Sequence, residues 1–452
     1  MFDSFLNLLR RLRNNNVDLL KIGTFSVIST VIKSVSFLGI TKIASVYLGV
    51  AQFSIFYQFI SIITIFTLCS TGAIDSGITK FTAEYAHDSE KLRVFSAACR
   101  LITIVFATLT ALSLLIFADF WSIFFYNNSQ YGSYLQMLGA VIGFTAIYKY
   151  QMAVLNGEKK YGVFYQLDAI QNMVILGICL MLMPFFKLTG SITAYLLAPF
   201  FTLLIGYVFL KKHFKSPHLG SISVIFNQLR YDLSPENIKK QRPFSRLFSF
   251  SAYSFLGLLM GPYIEILIRQ SLISSHSVEY ASIWDGLNRI NGLFSVFTIT
   301  LINTFVIPHF AALKQNASVL SRELLRLFLV IIPPFIVVAL GVYLLREWFV
   351  LTFFSPAFLP LTALMGIQLL GCLVSVINMV FTNFIISRYN PLFVVPYNIL
   401  ASLSYYFLIS SFTLRYGYQG LPLAYLINSL IGVFLLVIII ILVPRFQRKS
   451  TL

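Results

Sequence analysis

A 452-residue chain that is 58% hydrophobic and only 11% charged is not a soluble globular protein, in which about a quarter of residues are charged. Its formal net charge of +17 would point to nucleic acid in a soluble protein. Beside long apolar spans it points instead to anionic lipid headgroups, which attract basic residues by about 1 kcal/mol each near the surface. Cys69, Cys99, Cys179 and Cys372 lie in or at the edge of apolar segments without metal-ligand spacing, which argues against a disulfide framework or a redox centre. No metal or cofactor is expected.

The opening segment, 1–18, alternates Phe2, Leu6, Leu8, Leu9 and Leu12 with Arg10, Arg11 and Arg13. It reads as an amphipathic segment on the membrane surface or a solvated basic tail, and not as a cleavable signal. A spanning helix needs about 20 mostly apolar residues. Twelve such spans follow, near 19–46, 53–78, 97–118, 132–154, 162–185, 190–210, 247–272, 281–307, 324–345, 358–386, 392–414 and 420–443. The one long hydrophilic connection, 211–246, divides a six-helix lobe at 1–210 from another at 247–452. The expected fold is all-α, with twelve transmembrane helices in two six-helix lobes.

Basic residues fix the orientation. Of the 33 Lys and Arg, 25 fall in the gaps or at span ends on one face and only Lys42, Lys187, Arg346 and Arg415 on the other. Cytoplasmic loops hold positive charge, so both termini and the 211–246 linker are expected in the cytoplasm. The lobes also resemble each other. Gly190-Ser-Ile-Thr-Ala194-Tyr195-Leu196 opens the sixth span, and Gly420-Leu-Pro-Leu-Ala424-Tyr425-Leu426 opens the twelfth. Lys160-Tyr161-Gly162-Val163-Phe164 faces Tyr389-Asn390-Pro391-Leu392-Phe393 at nearly the same offset. A duplicated six-helix unit has both halves in one orientation, related by an axis along the membrane normal, and implies alternating access by rocking.

Four basic residues lie inside spans away from the assigned ends: Lys33, Lys149, Arg269 and Arg289. A charge at mid-membrane costs about 2.5–3.5 kcal/mol or more, so each asks for a reason. Lys33 sits about twelve residues, or ~18 Å, into the first span and has no acid one turn away. Glu265 with Arg269, and Asp285 with Arg289, share helix faces at a spacing of four. Each pair either neutralises itself and fastens helices together, or lines a polar cavity. Asp75, Lys149 and Asp168 form a second group toward the cytoplasmic side, where Lys149 and Asp168 are near enough to helix ends to snorkel. Uncompensated cations in a cavity attract an anion, Arg as a bidentate fork for phosphate and Lys as a point charge. Aromatic runs such as Phe120-Trp121 with Phe124-Phe125-Tyr126, and Tyr405-Tyr406-Phe407, fit sugar stacking or, more commonly, interfacial belts. Gly139-x-x-x-Gly143 permits close helix approach. The five scattered histidines and the lack of a P-loop give no catalytic signature.

In order along the chain, Ser29-Thr-Val-Ile-Lys33 with Lys42 and Gly49, Gly77-Ile-Thr-Lys80-Phe81 with Ala83, Tyr85 and Leu92-Arg93, Gly157, and Ile283-Trp284-x-Gly286 leading to Pro308 carry a resemblance. Through nearly its whole length the chain resembles the Wzx-type O-antigen flippases and the related flippase for lipid-linked enterobacterial common antigen. These belong to the multidrug/oligosaccharidyl-lipid/polysaccharide exporter (MOP) superfamily. Arg269 matches a family arginine, whereas Asp285 and Arg289 depart from the common-antigen branch. The resemblance implies a MATE-like pair of lobes around a central cavity, lined by the first, second, seventh and eighth spans and faced by Lys33, Arg269 and Arg289. It also implies movement of undecaprenyl-pyrophosphate-linked oligosaccharide from the cytoplasmic to the periplasmic leaflet of a bacterial inner membrane, with no bond made or broken. Lys33, Lys42, Glu265, Arg269, Asp285 and Arg289 are then the expected substrate contacts, with Asp75, Lys149 and Asp168 secondary. Anionic lipids, a polysaccharide polymerase and a chain-length regulator are the expected partners. Two other readings stay open. An ion-coupled multidrug exporter of the same fold would favour an acidic lumen; an O-antigen polymerase or membrane glycosyltransferase would need a large extramembrane loop.

Overall fold

A computed structural model describes residues 17–210, 243–302, 317–388 and 393–450. The N-terminal segment before Val17, most of the 211–246 linker, Pro308 and the Tyr389 half of the second repeat match lie outside the described residues. Among those described, every regular element is helical. They are α1 (Val17–Tyr47), α2 (Gly49–Ser70), α3 (Asp75–Glu84), α4 (Ser89–Ile116), α5 (Ala118–Tyr126), α6 (Gly132–Gly157) and α7 (Tyr161–Leu210), followed by α8 (Pro243–Ser275), α9 (Val278–Leu301), α10 (Ala317–Leu344), α11 (Arg346–Phe353), α12 (Leu361–Arg388), α13 (Val394–Tyr416) and α14 (Gly420–Ser450). Helices are what a lipid environment demands, because each segment satisfies its own backbone polar groups.

Among the described residues, nine segments are long and apolar enough to cross a membrane. Two of them, Tyr161–Val208 and Val394–Leu442, are 48 and 49 residues long, enough for two crossings each. Each holds a sharp reversal, at Lys187 and at Gly417. The charges of α9 keep it below the apolar threshold, although its 24 residues span a bilayer. The set is consistent with twelve crossings.

The boundaries correct the sequence in two places. The expected second span, 53–78, breaks at Gly72 and Ala73, both at positive φ (61° and 50°). Asp75 therefore opens a separate short helix, α3, and places its carboxylate in the first turn, where the helix dipole favours it. The short helices α5 and α11, nine and eight residues long, were not expected because neither is long enough to register as a span.

The repeat extends well beyond the two matched motifs. The shift that carries Gly190 onto Gly420 also brings α4 onto α10, α5 onto α11, α6 onto α12 and the two arms of α7 onto α13 and α14, within a few residues. The reversals coincide too: the same shift carries Lys187 (φ 46°, ψ −121°) onto Gly417 (φ 57°, ψ −134°). At Gly190 and at Gly420, just beyond each reversal, a Cβ would be driven into a carbonyl oxygen of the preceding arm, that of Leu182 or Phe412. The same tight re-entry thus closes both halves. Lys187 holds a conformation that suits glycine, at a strain of about 1–3 kcal/mol. Lys187→Gly is expected to raise the thermal unfolding midpoint in detergent, and Gly417→Lys to lower it by several degrees. Equal midpoints for both variants and the parent would refute the shared strain.

By their packing the described residues form two units, Gln58–Ile266 and Met1–Tyr57 with Leu267–Leu452, the divisions falling inside α2 and α8. In the first, α6 is the central helix, packed by α3, α4, α5 and α7. Gly139 lets it approach α4, since a Cβ there would lie 3.1 Å from the Ala111 carbonyl oxygen. Gly143 meets nothing within 4 Å, so only half of that motif is used. Gly157 does the same against α3, 2.8 Å from the Thr79 carbonyl oxygen, and Thr79 donates to the Ala153 carbonyl at 3.2 Å. Ile78 and Phe81 join Phe95, Cys99 and Tyr150 in a buried cluster. The Gly77–Phe81 motif is thereby explained as a docking surface for α3. In the second unit α12 lies among α9, α10 and α14, with α13 against α14 and α1 against α9 and α11.

Candidate functional site

Arg269, on α8, and Asp285, on α9, form a buried ion pair in the second unit. Arg269 Nε donates to both Asp285 carboxylate oxygens at 2.9 and 3.1 Å, and Nη2 lies 2.8 Å from Oδ1. The side chains are 1% and 0% exposed. The fork geometry is the strong one for guanidinium and carboxylate. Trp284 closes one side, its ring 5.1 Å from the guanidinium carbon, and is anchored by Nε1 donating to Tyr405 Oη at 3.0 Å. Gly286, two residues on, yields to Leu361, which a Cβ would meet at 2.9 Å. Within the Ile283-Trp284-x-Gly286 motif, Trp284 is therefore the wall of this pair and Gly286 admits Leu361. The bridge joins neighbouring helices, whereas the sequence spacing paired each arginine with an acid one turn away on its own helix.

Arg289 has a different setting. It lies near the middle of α9, one turn from Asp285, with its guanidinium carbon 4.0 Å from the Tyr57 ring centroid and 5.0 Å from that of Phe37. Its buried Nε has no hydrogen-bond partner among the described residues. Aromatic faces stabilise a cation without neutralising it. Phe37 is held in turn by Gly292, where a Cβ would meet the ring at 2.7 Å. Lys33 precedes Phe37 by one turn on α1, so the two share a helix face, and it is half-buried near the middle of that 31-residue helix. Arg289 thus lies against Phe37, and Lys33 lies one turn from Phe37 on the same helix.

The other expected residues are engaged elsewhere. Lys42 Nζ donates to the Leu351 and Phe354 carbonyls, both at 2.7 Å, and so caps the C-terminal end of α11. Glu265, in the first unit, accepts from Ser61 Oγ at 2.8 Å. Asp75 lies outside the candidate spans; burial pushes its carboxyl above the usual range, and the Lys149 charge and Thr71 hydroxyl pull it partly back. Lys149 is exposed on α6, while Asp168 is half-buried on α7. Within the Phe120–Tyr126 run Phe120 stacks on Phe124 and Trp121 on Phe125, with Trp121 and Phe125 edge-on to Phe66 and with Phe120 and Phe124 exposed, the arrangement of an interfacial belt. The charge reading missed Arg100, assigned to a cytoplasmic gap. It is 7% exposed, and its Nε and Nη1 lack partners among the described residues. No group of three metal-ligating residues occurs among the described residues.

Long apolar helices in tandem repeat, with charged side chains held near mid-helix, define a multi-pass membrane protein. Solved structures share the fold. A multidrug resistance MATE family transporter of the MOP superfamily, in an inward-facing conformation, superposes with a TM-score of 0.72 at 12% identity, over 92% of this chain and 95% of that one. A MOP superfamily transporter from Pyrococcus furiosus, described as having a binding pocket of reversed polarity, gives 0.67 at 13% identity, over 94% and 96%. Residues 19–314 match the model of the family described as polysaccharide biosynthesis protein, and the chain belongs to that family. The Lipid III flippases of Escherichia coli K12 and Shigella flexneri are each 22% identical to it over 444 residues, covering 93% of this chain and 99% of theirs.

Proposed function

We propose that the protein carries a polyprenyl-pyrophosphate-linked oligosaccharide, of the undecaprenyl class, from the cytoplasmic to the periplasmic leaflet of the bacterial inner membrane. The observation that carries the reading is Arg289: a guanidinium near mid-helix, held by aromatic rings and presenting a buried Nε with no partner among the described residues, with Lys33 one turn from the same phenylalanine. Such a pair offers charge to a pyrophosphate headgroup. A cation-exporting multidrug transporter would want the opposite sign there. In this reading Arg269 and Asp285 hold the helices that present Arg289, and Lys42 fixes α11. The lobes 1–210 and 247–452, joined by 211–246, rock to give alternating access, and both termini stay in the cytoplasm, where the basic rim meets anionic lipids. A polysaccharide polymerase and a chain-length regulator act on the delivered units.

A flippase works after assembly of the lipid-linked unit and before its polymerisation. Deleting the gene should therefore abolish surface polysaccharide and leave lipid-linked units facing the cytoplasm, as read by leaflet-resolved glycan labelling. Unpolymerised units accumulating on the periplasmic face would assign the protein to polymerisation instead.

A further inference from the structure

Behind α9 lies a cavity of about 360 Å³ among α9, α12, α13 and α14, all in one unit. Five asparagines line it, Asn291, Asn378, Asn383, Asn398 and Asn428, together with Tyr397 and other uncharged residues; no lining residue carries a charge. Five carboxamides around one space inside apolar helices are expensive unless something uses them.

Their bonding is sorted. Asn378 donates Nδ2 to the Ser429 carbonyl at 2.8 Å, and Asn383 donates Nδ2 to the Met379 carbonyl at 2.9 Å. Both orient their amides by the nitrogen, and the Asn378 Oδ1 is buried without a partner among the described residues. Asn291 and Asn428 are the reverse: their Oδ1 atoms accept from Tyr425 Oη and Ser404 Oγ. Their amide N–H groups remain as donors. The wall thus offers acceptors on one pair and donors on the other, the complement of hydroxyl groups, which both donate and accept. Gly432 keeps the space open, since a Cβ there would stand 3.0 Å from Asn378 Nδ2 and from Tyr397 Oη. The volume falls within the range of small-ligand sites, about 300–1,000 Å³.

We propose that this cavity binds an uncharged, polyhydroxylated group: a neutral sugar residue of the lipid-linked substrate. An anion would find no cation here and a cation no carboxylate. The site is separate from Arg289. Asn291 is two residues further along α9, about 200° around the helix, and faces Tyr425 of α14, whereas Arg289 faces Phe37 and Tyr57. Asn383 and Asn398 lie within about two turns of the α12–α13 junction, so the cavity runs from mid-helix toward that end. Under the proposed function that end is cytoplasmic, where a glycan arrives.

The identity of the ligand as part of a lipid-linked substrate rests on that function, and the test separates the two. Purified full-length protein is titrated with undecaprenyl pyrophosphate, bare or carrying one N-acetylglucosamine. The parent should bind the glycosylated lipid about tenfold more tightly, the worth of one or two net hydrogen bonds. Asn398→Leu and Asn383→Leu should erase that preference and leave the bare lipid unaffected, which also shows that they fold. Arg289→Ala should weaken both lipids and keep the preference. A parent without preference, or leucine variants that keep it, would overturn the sugar site. If neither lipid binds, the flippase reading falls. The cavity is then decided by saturation-transfer NMR with free chitobiose, whose signal must appear with the parent and vanish with Asn398→Leu; its absence from the parent refutes the site.

Discussion

Asp285→Ala is expected to remove most of the folded protein from the membrane. The substitution leaves Arg269 charged, 1% exposed and without its bidentate partner. Breaking one side of a buried pair costs about 3–5 kcal/mol, because the surviving charge stays buried. Replacing both, as Arg269→Met with Asp285→Leu, removes the charges together and should restore much of the yield, since apolar replacement of a buried pair is often neutral or better. Yield of monodisperse protein and its thermal midpoint in detergent measure both outcomes. A normal midpoint for Asp285→Ala would mean that the pair opens to solvent in the resting state. Arg269→Ala belongs with these variants: lower transport from it is expected to follow lower abundance.

Charge reversal at Lys33 or Arg289 should instead damage transport in protein that is present at normal levels. A unit charge about 10 Å from a headgroup, at an effective dielectric of about 20, is worth roughly 1–2 kcal/mol. Neutralisation, Lys33→Ala or Arg289→Ala, should slow flipping about tenfold per inserted molecule. Reversal to glutamate adds repulsion to the lost attraction and should approach a hundredfold. Lys33→Arg keeps the charge, changes the geometry and should retain part of the activity. The readout is flipping of fluorescent lipid-linked sugar in proteoliposomes, normalised to inserted protein. Ordinary transport by Lys33→Glu at ordinary abundance would end the basic-site mechanism.

Why some of this was legible in the sequence and some was not is a matter of physical signal. Apolar length announces spanning helices, because lipid demands about 20 residues. The Gly190 and Gly420 motifs announced the repeat because a tight re-entry tolerates almost no side chain at those positions. A reversal within one continuous apolar run, as at Lys187, has no hydropathy signal, although its mate Gly417 carries the expected residue. Charges inside spans were easy to find, but not their partners. Arg269 meets Asp285 sixteen residues away, across the junction between α8 and α9, which spacing on one helix does not encode. Arg100 was masked by its place near a loop. Formal charge does not mark the asparagines; five carboxamides spread over α9, α12, α13 and α14 are themselves a readable signal for a polar cavity.

The placement of α1 bears on how the chain is assembled. Its most extensive contacts are with α9 and α11, and its Thr30 hydroxyl pairs with that of Thr300, 2.6 Å away across 270 residues of sequence. At synthesis rates of about 5–20 residues per second, the first helix waits roughly 14–54 s in the bilayer before its partner is made. Throughout that interval the contacts of α1 with α9, Thr30–Thr300 among them, are missing. Nascent chains stalled between α7 and α9 should therefore expose a lysine-bearing helix to membrane proteases and insertion chaperones, and the window closes only when α9 docks.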